Sequence, residues 1–142
     1  MQIANDIAIV AYKATRDTMH EGMTQGEFAG NCSAAFRALG SSGGVFVSFG
    51  KYTAFPHGSS TPQRLKEGDV VLMDGGCSVD GYQSDITRTF VFGKATDRQR
   101  EIWDLERKAQ DAGFAAAKVG APCEAVDAAA RKVILQAGFG AG

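Results

Sequence analysis

The chain has 142 residues, enough to bury a sizeable core, and its length predicts one domain. Its 15 basic and 16 acidic residues leave a net charge of -1, so the charge balance favours neither nucleic acid nor an anionic membrane surface as a partner. No apolar run approaches the roughly 20 residues of a membrane helix, and no signal peptide is visible, so we expect a cytoplasmic protein.

The first forty residues predict two amphipathic helices. Apolar residues recur at helical spacing in the first segment, at Ile3, Ile7, Val10 and Ala14. We expect this helix to end near Gly22. Thr24 and Glu27 then form a Thr-x-x-Glu capping box, which predicts the start of a second helix closed by Gly40. The apolar stripe of the second helix comprises Phe28, Cys32, Ala35, Phe36 and Leu39.

A short strand and a long loop follow the helices. Residues 45–49 are apolar enough to predict a strand, whereas residues 50–69 contain glycines and prolines that predict a loop. His57 lies on this loop between Pro56 and Gly58. A histidine on a loop is, by itself, more often a solvated surface residue than a functional one.

Residues 70–92, VVLMDGGCSVDGYQSDITRTFVF, place two carboxylates inside a predicted β-hairpin. The Asp80-Gly81 pair is a strong signal for a two-residue hairpin turn. With that turn, Asp74 faces Thr87 and Asp85 faces Gly76, so the two aspartates share one face of the sheet. We expect Gly75-Gly76 to form a bulge that adjusts their distance.

Two aspartates in this register are diagonal neighbours, roughly 7 to 8 Å apart at the backbone. Carboxylates this close repel each other, so one must be protonated or a cation must lie between them. A divalent metal ion is the simplest solution. The alternative is that Asp74 merely ends a strand beside two glycines and that Asp85 is a solvated strand residue.

The last third of the chain predicts two more helices. Thr96 and Gln99 form a second capping box, and Pro122 begins a helix that closes at Gly138. Five positions of the first helical pair recur 98 residues later: Gly22, Thr24, Phe28, Phe36 and Gly40 correspond to Gly120, Pro122, Val126, Ile134 and Gly138. This spacing predicts a first repeat over residues 1–95 and the helices of a second repeat over residues 96–142.

The segments DGG and GYQSDITRTF, with Pro56-His57-Gly58 upstream, resemble the pita-bread metallopeptidases, and most closely their Xaa-Pro aminopeptidase and Xaa-Pro dipeptidase (prolidase) branch. The resemblance extends from about Ala4 to the last residue. It implies an α+β fold in which helices pack on a curved antiparallel sheet. Residues 1–142 would form the first half of that fold, a partial catalytic domain.

The resemblance also implies a site. Asp74 and Asp85 would be the first two ligands of a two-metal centre, and His57 would contact the substrate. Carboxylate ligands favour Mn²⁺, with Co²⁺ or Zn²⁺ as alternatives. The substrate would be a short peptide cleaved at an Xaa-Pro bond. The family's remaining ligands, one histidine and two glutamates, have no counterpart here, so a single copy is expected to be inactive and either to self-associate or to belong to a longer protein.

Two other functions stay open. The first is a different enzyme of the same fold, such as methionine aminopeptidase or the metal-free creatinase. The intact aspartate pair argues against creatinase, and the SDITRTF segment favours the Xaa-Pro branch. The second is a non-catalytic pita-bread module that binds a partner. The missing metal ligands favour this alternative.

Overall fold

The computed structural model describes residues 1–140, which fall into two compact units. The first unit, Met1–Lys94, contains helices α1 (Gln2–Arg16) and α2 (Gln25–Ala38) and strands β1 (Gly43–Phe49), β2 (Val70–Val79), β3 (Tyr82–Gln83) and β4 (Ile86–Val91). The second unit begins at Ala95 and contains helices α3 (Asp97–Ala116) and α4 (Cys123–Gln136). None of the helices described in residues 1–140 is both long and apolar enough to cross a bilayer.

The sheet of the first unit is antiparallel, and β2 is its centre. Strands β1 and β4 pair with the two edges of β2, while the two-residue β3 pairs with the end of β2. Burial alternates along β2, where Val71, Met73 and Cys77 enter the core beneath α1 and α2. The opposite face of the sheet is not covered by these helices. Asp74 lies on this open face.

Helix α1 packs through small residues and not through the aliphatic stripe that its sequence suggested. Ile3 and Val10 are 65% and 51% exposed, Ala14 is exposed, and Ile7 is only partly buried. The buried face is offset by about one residue and consists of Ala4, Ala8, Ala11, Tyr12 and Thr15. Alanine lets the helix backbone approach its neighbours closely. The resulting close packing stabilises this orientation more than burial of the larger aliphatic side chains would. The helix also ends at Arg16, well before the predicted end near Gly22.

Helix α2 begins as its capping box predicted. The Thr24 hydroxyl accepts a hydrogen bond from the Glu27 backbone N–H at 3.2 Å, and the Glu27 carboxylate accepts one from the Thr24 backbone N–H at 2.7 Å. Phe28, Cys32 and Phe36 are fully buried, whereas Leu39 is 40% exposed. The predicted stripe is therefore confirmed except at its last residue, which is the C-cap.

Replacing Thr24 with alanine is expected to lower the free energy of unfolding by about 1 kcal/mol. The Glu27 backbone N–H at the start of α2 loses its acceptor, and the reciprocal capping box is broken. Urea denaturation followed by circular dichroism measures the change. Thr24→Ser keeps the hydroxyl and serves as the control, with little expected loss. Equal midpoints for the alanine variant and the wild type would show that the box contributes nothing.

The segment between β1 and β2 is not entirely irregular. Residues Gly50–Ala54 form a 3₁₀ helix, and Arg64 makes an isolated β-bridge with Thr24. Near the end of the segment, Gln63 is 4% exposed. Its side-chain oxygen accepts a hydrogen bond from the Phe49 backbone N–H at 2.7 Å, and the Gln63 backbone N–H donates to the Gln25 side-chain oxygen at 3.0 Å. The loop that carries His57 is thus anchored on β1 and α2.

Helix α4 reproduces helix α2 at the spacing found in the sequence. The bounds of α2, Gln25–Ala38, shifted by 98 residues coincide with those of α4, Cys123–Gln136. The capping box predicted at Thr96 and Gln99 is also present and begins α3. Pro122 is the N-cap of α4 and lies one position before its predicted place in the first turn.

Candidate active site

The hairpin that carries the two aspartates has the predicted turn and register. Asp80 and Gly81 adopt φ values of 50° and 81°, as a two-residue type I′ turn requires. Beyond the turn Val79 pairs with Tyr82, and farther along Asp74 pairs with Thr87. The predicted register is therefore confirmed for the pairs that form, but the predicted pair of Asp85 with Gly76 is not among them.

The predicted bulge at Gly75-Gly76 is wrong. Both glycines continue the register with β1, and Gly75 also pairs with Ile86 of β4. They are small because neighbouring backbones approach them: a Cβ at Gly75 would lie 2.3 Å from the Gly44 carbonyl oxygen, and one at Gly76 would lie 2.1 Å from the Ser84 carbonyl oxygen. Glycine here permits close strand packing, without an inserted residue.

Asp74 lies in the middle of β2 with a hydrogen-bond donor beside it. The Thr87 hydroxyl donates to Asp74 Oδ1 at 2.5 Å from the directly opposite position on β4. On the other side, Phe46 of β1 is the residue paired with Asp74. Thr87 therefore orients one oxygen of this half-buried carboxylate.

Asp85 lies immediately before β4, which begins at Ile86, one residue later than predicted. Its side chain is exposed, whereas the preceding Ser84 is buried. An open depression beside Asp85 is lined by Ser42, Gly75, Gly76, Cys77, Ser78, Gln83 and Ser84. Ile86 and Phe90 pack against the core, so by strand alternation Asp85 and Thr87 belong to the opposite, open face.

Tyr12 connects α1 to this part of the sheet and had no predicted role. Its hydroxyl donates to the Ile86 carbonyl oxygen at 2.9 Å, and only 4% of the residue is exposed. Burial raises the pKa of the Tyr12 phenol well above its ordinary value, and the charges of Cys32, Asp74 and Asp85 raise it further, against the opposing effect of Arg88. The hydrogen bond to Ile86 brings the Tyr12 hydroxyl to the residue that follows Asp85.

Replacing Tyr12 with phenylalanine is expected to cost about 1 kcal/mol of unfolding free energy at neutral pH, because the hydrogen bond to Ile86 is lost. The difference should shrink above about pH 10. There the unfolded tyrosine ionises while the folded one keeps its proton, and this destabilises the wild type by up to about 1.4 kcal/mol per pH unit but not the variant.

Urea denaturation of both proteins between pH 7 and pH 11 measures this convergence. Tyr82→Phe removes the same atom from a side chain that is 62% exposed and is the matched control. A difference between wild type and Tyr12→Phe that stays constant over the whole range would contradict the assignment.

His57 lies in a turn on the loop between β1 and β2, and its side chain is exposed. The adjacent Gly58 packs on the sheet: a Cβ at Gly58, where φ is 78°, would lie 2.5 Å from Phe46 Cε2. Phe46 is the residue paired with Asp74. The structure therefore brings the loop of His57 onto the strand position that adjoins Asp74.

Two aspartates are the right type of ligand for a hard divalent cation, but they are too few to hold one by themselves. Carboxylate oxygens are ligands that Mn²⁺ and similar ions prefer. Within residues 1–140, however, no group of three or more His, Cys, Asp and Glu side chains is arranged to hold a metal ion. Asp74 and Asp85 would thus form part of a coordination shell.

The sequence profile of metallopeptidase family M24 matches residues 1–142, and the chain belongs to this family. It is 35% identical to the Xaa-Pro dipeptidase of Lactobacillus helveticus over 99% of this chain and 39% of that protein. It is 34% identical to the Xaa-Pro dipeptidase of Pyrococcus furiosus over 96% of this chain and 40% of that protein.

Solved structures give the same result for the fold. The X-Pro aminopeptidase of Thermotoga maritima superposes with a TM-score of 0.91 at 29% identity, over 96% of this chain and 40% of that one. The prolidase of Pyrococcus furiosus superposes with a TM-score of 0.87 at 33% identity, over 96% and 42%. The predicted pita-bread fold is confirmed. The chain spans about 40% of the length of these curated relatives.

Proposed function

We propose that this chain supplies the first part of the catalytic centre of a metal-dependent peptidase that cleaves short peptides at Xaa-Pro bonds. The observation that supports the proposal is the hairpin register, in which Asp74 pairs with Thr87 and Asp85 directly precedes Ile86, the partner of Gly75. The names of the relatives, Xaa-Pro dipeptidases and X-Pro aminopeptidase, support the substrate class.

Asp74 and Asp85 would hold the metal, for which we propose two divalent ions, with Mn²⁺ preferred over Co²⁺ or Zn²⁺. Such ions, when bound, polarise a carbonyl group and make water a nucleophile at neutral pH. The Thr87 hydroxyl keeps one Asp74 oxygen in a fixed direction through its hydrogen bond. Such support of a ligand matters, because partners that orient ligands commonly contribute about 10- to 100-fold to affinity or activity.

His57 would bind the scissile carbonyl group and the oxyanion that develops from it. Pro56 restrains the backbone before it, and Gly58 lets the loop lie against the Phe46 ring, so the imidazole is presented from an anchored turn. Its exposed position leaves the side chain accessible to a peptide that enters over the open face of the sheet.

We propose further that residues 1–95 are a first structural repeat and that residues 96–142 hold the helices of a second. The identical length and 98-residue offset of α2 and α4 support this division. Because Asp74 and Asp85 provide too few ligands among the described residues, the remaining ones would come from outside this chain or from a second copy.

Hydrolysis of Xaa-Pro dipeptides with added Mn²⁺ tests the proposal, with the oligomeric state measured on the same sample by light scattering. We expect the 142-residue chain to be inactive as a monomer, and turnover to require either self-association or the longest natural reading frame that contains it. Robust turnover by the monomer would contradict the ligand count, and no turnover by the longer protein would contradict the peptidase assignment.

A non-catalytic pita-bread module is the second candidate function. The ligand count favours it, since the described residues form no complete metal site. Such a module would bind a partner without needing Asp74 or Asp85. Mn²⁺ binding that disappears in Asp74→Asn and Asp85→Asn, together with hydrolysis by the longer protein, would exclude this candidate.

A further inference from the structure

The pairing of the hairpin strands is interrupted at Ser84 and Asp85, although the register is the same on both sides of the gap. Ser78 pairs with Gln83 on the turn side, and Gly75 pairs with Ile86 on the other. An uninterrupted ladder would pair Cys77 with Ser84 and Gly76 with Asp85. The break therefore needs a local cause that does not shift the register.

The cause is the side chain of Ser84. Its hydroxyl accepts the Cys77 backbone N–H at 2.9 Å and donates to the Cys77 carbonyl oxygen at 3.2 Å, while the Ser84 N–H donates to the same carbonyl at 2.9 Å. In a regular antiparallel ladder the Cys77 N–H would be bonded by the Ser84 carbonyl oxygen. The hydroxyl thus takes the place of a backbone acceptor.

This exchange releases the Ser84 carbonyl group, which then lies against Gly76. A Cβ at Gly76 would be 2.1 Å from the Ser84 carbonyl oxygen, so only glycine accommodates the turned peptide. Ser84 is 7% exposed, whereas the next residue, Asp85, is exposed. On the far side of Asp85, Tyr12 holds the Ile86 carbonyl oxygen. The Asp85 backbone is thereby fixed at both ends.

We propose that Ser84 is a positioning residue that holds Asp85 out of the ladder, with its carboxylate available to a divalent cation beside Asp74. This role rests on the proposed function but does not require Ser84 to touch metal or substrate. Without the hydroxyl, the buried Cys77 N–H would lack a partner, and the nearest replacement is the carbonyl oxygen of residue 84. Turning that carbonyl inward rotates the following peptide and draws Asp85 into the ladder opposite Gly76.

The first experiment needs no metal. Crystal structures of the 142-residue chain as wild type and as Ser84→Ala should show the alanine variant with a Cys77 N–H bond to the carbonyl of residue 84 and with Asp85 paired to Gly76. Ser84→Thr keeps the hydroxyl and should retain the wild-type geometry. Where Ser84→Ala does not fold, Ser84→Cys, whose sulfur is a much weaker acceptor, replaces it. An unchanged Asp85 in the variant overturns the proposal.

The second experiment measures Mn²⁺ affinity by paramagnetic broadening of amide resonances, which detects weak sites. In the wild type we expect broadening near residues 74 and 85. Ser84→Ala should need a Mn²⁺ concentration at least about 10-fold higher for the same broadening, which is the scale seen for groups that orient metal ligands. Ser78→Ala, which removes an exposed hydroxyl from the same depression, should bind as the wild type does. Equal Mn²⁺ affinity of folded Ser84→Ala and wild type overturns the proposal.

The two experiments separate the proposal from the proposed function. Absence of broadening near Asp74 and Asp85 in the wild type and in the longer natural protein would refute metal binding by the pair, while the crystal structures would still decide whether Ser84 sets the position of Asp85. A purely structural serine would lower the unfolding midpoint of Ser84→Ala and leave both the Asp85 geometry and the Mn²⁺ affinity of the folded protein unchanged.

Discussion

Replacing Asp85 with asparagine in the longest natural reading frame that contains this chain is expected to lower kcat/KM for Xaa-Pro dipeptides by more than about 100-fold. Residues that merely orient metal ligands already contribute about 10- to 100-fold, so the loss of a ligand itself should exceed that range. An amide carries no charge and offers a single acceptor oxygen. Asp74→Asn should have an effect of the same order, because strand alternation assigns both aspartates to the same face of the sheet.

Asp80→Asn is the matched control for these variants. It makes the same chemical change within six residues of both proposed ligands, in a turn where φ is 50°, a conformation that asparagine adopts readily. Its activity and Mn²⁺ requirement should equal those of the wild type. If Asp85→Asn has the kcat/KM of the wild type, Asp85 does not belong to the catalytic centre, whatever its position in the hairpin.

The largest effect on stability is expected for Phe36→Ala, at about 3 to 5 kcal/mol of unfolding free energy. Phe36 is fully buried on α2, its ring meets that of Tyr12 edge-on at 6.3 Å, and its Cγ lies 2.7 Å from the place of a Cβ on Gly43. The side chain therefore fills the space between α1 and β1, and its removal leaves a cavity. Since whole domains have only about 5 to 15 kcal/mol of stability, much of the variant should be unfolded at 37 °C.

Urea denaturation followed by circular dichroism measures this loss. Phe55→Ala is the control in the same unit, because Phe55 is 51% exposed and its truncation should cost less than about 1 kcal/mol. Losses of similar size for the two variants would show that the core is not organised around Phe36.

Features set by neighbouring residues could be predicted from the sequence. The two capping boxes and the Asp80-Gly81 turn are local, since each depends on hydrogen bonds or φ values within a few residues. The turn then transmits its register along both strands, which is why the pairing of Asp74 with Thr87 was predictable.

Features set by distant partners could not be predicted. The buried face of α1 depends on how closely the helix approaches the core, and hydrophobic spacing favoured Ile3 and Val10, which are exposed. Gly75 and Gly76 resembled a bulge because the sequence does not show that the backbones of Gly44 and Ser84 press against them. The roles inferred for Tyr12 and Ser84 likewise depend on acceptors and donors in other elements.

The two-residue turn also determines the order in which the parts of the site can assemble during folding. Thr87 and Asp74 are separated by 13 residues, so the chain loses little loop entropy when they meet, and hairpins of this kind form in about 1 to 10 μs. Gly58, next to His57, reaches Phe46 only after the longer segment between β1 and β2 has closed. The carboxylate pair can therefore be in register before the histidine arrives, and variants in the His57 loop should slow folding less than variants at Asp80-Gly81.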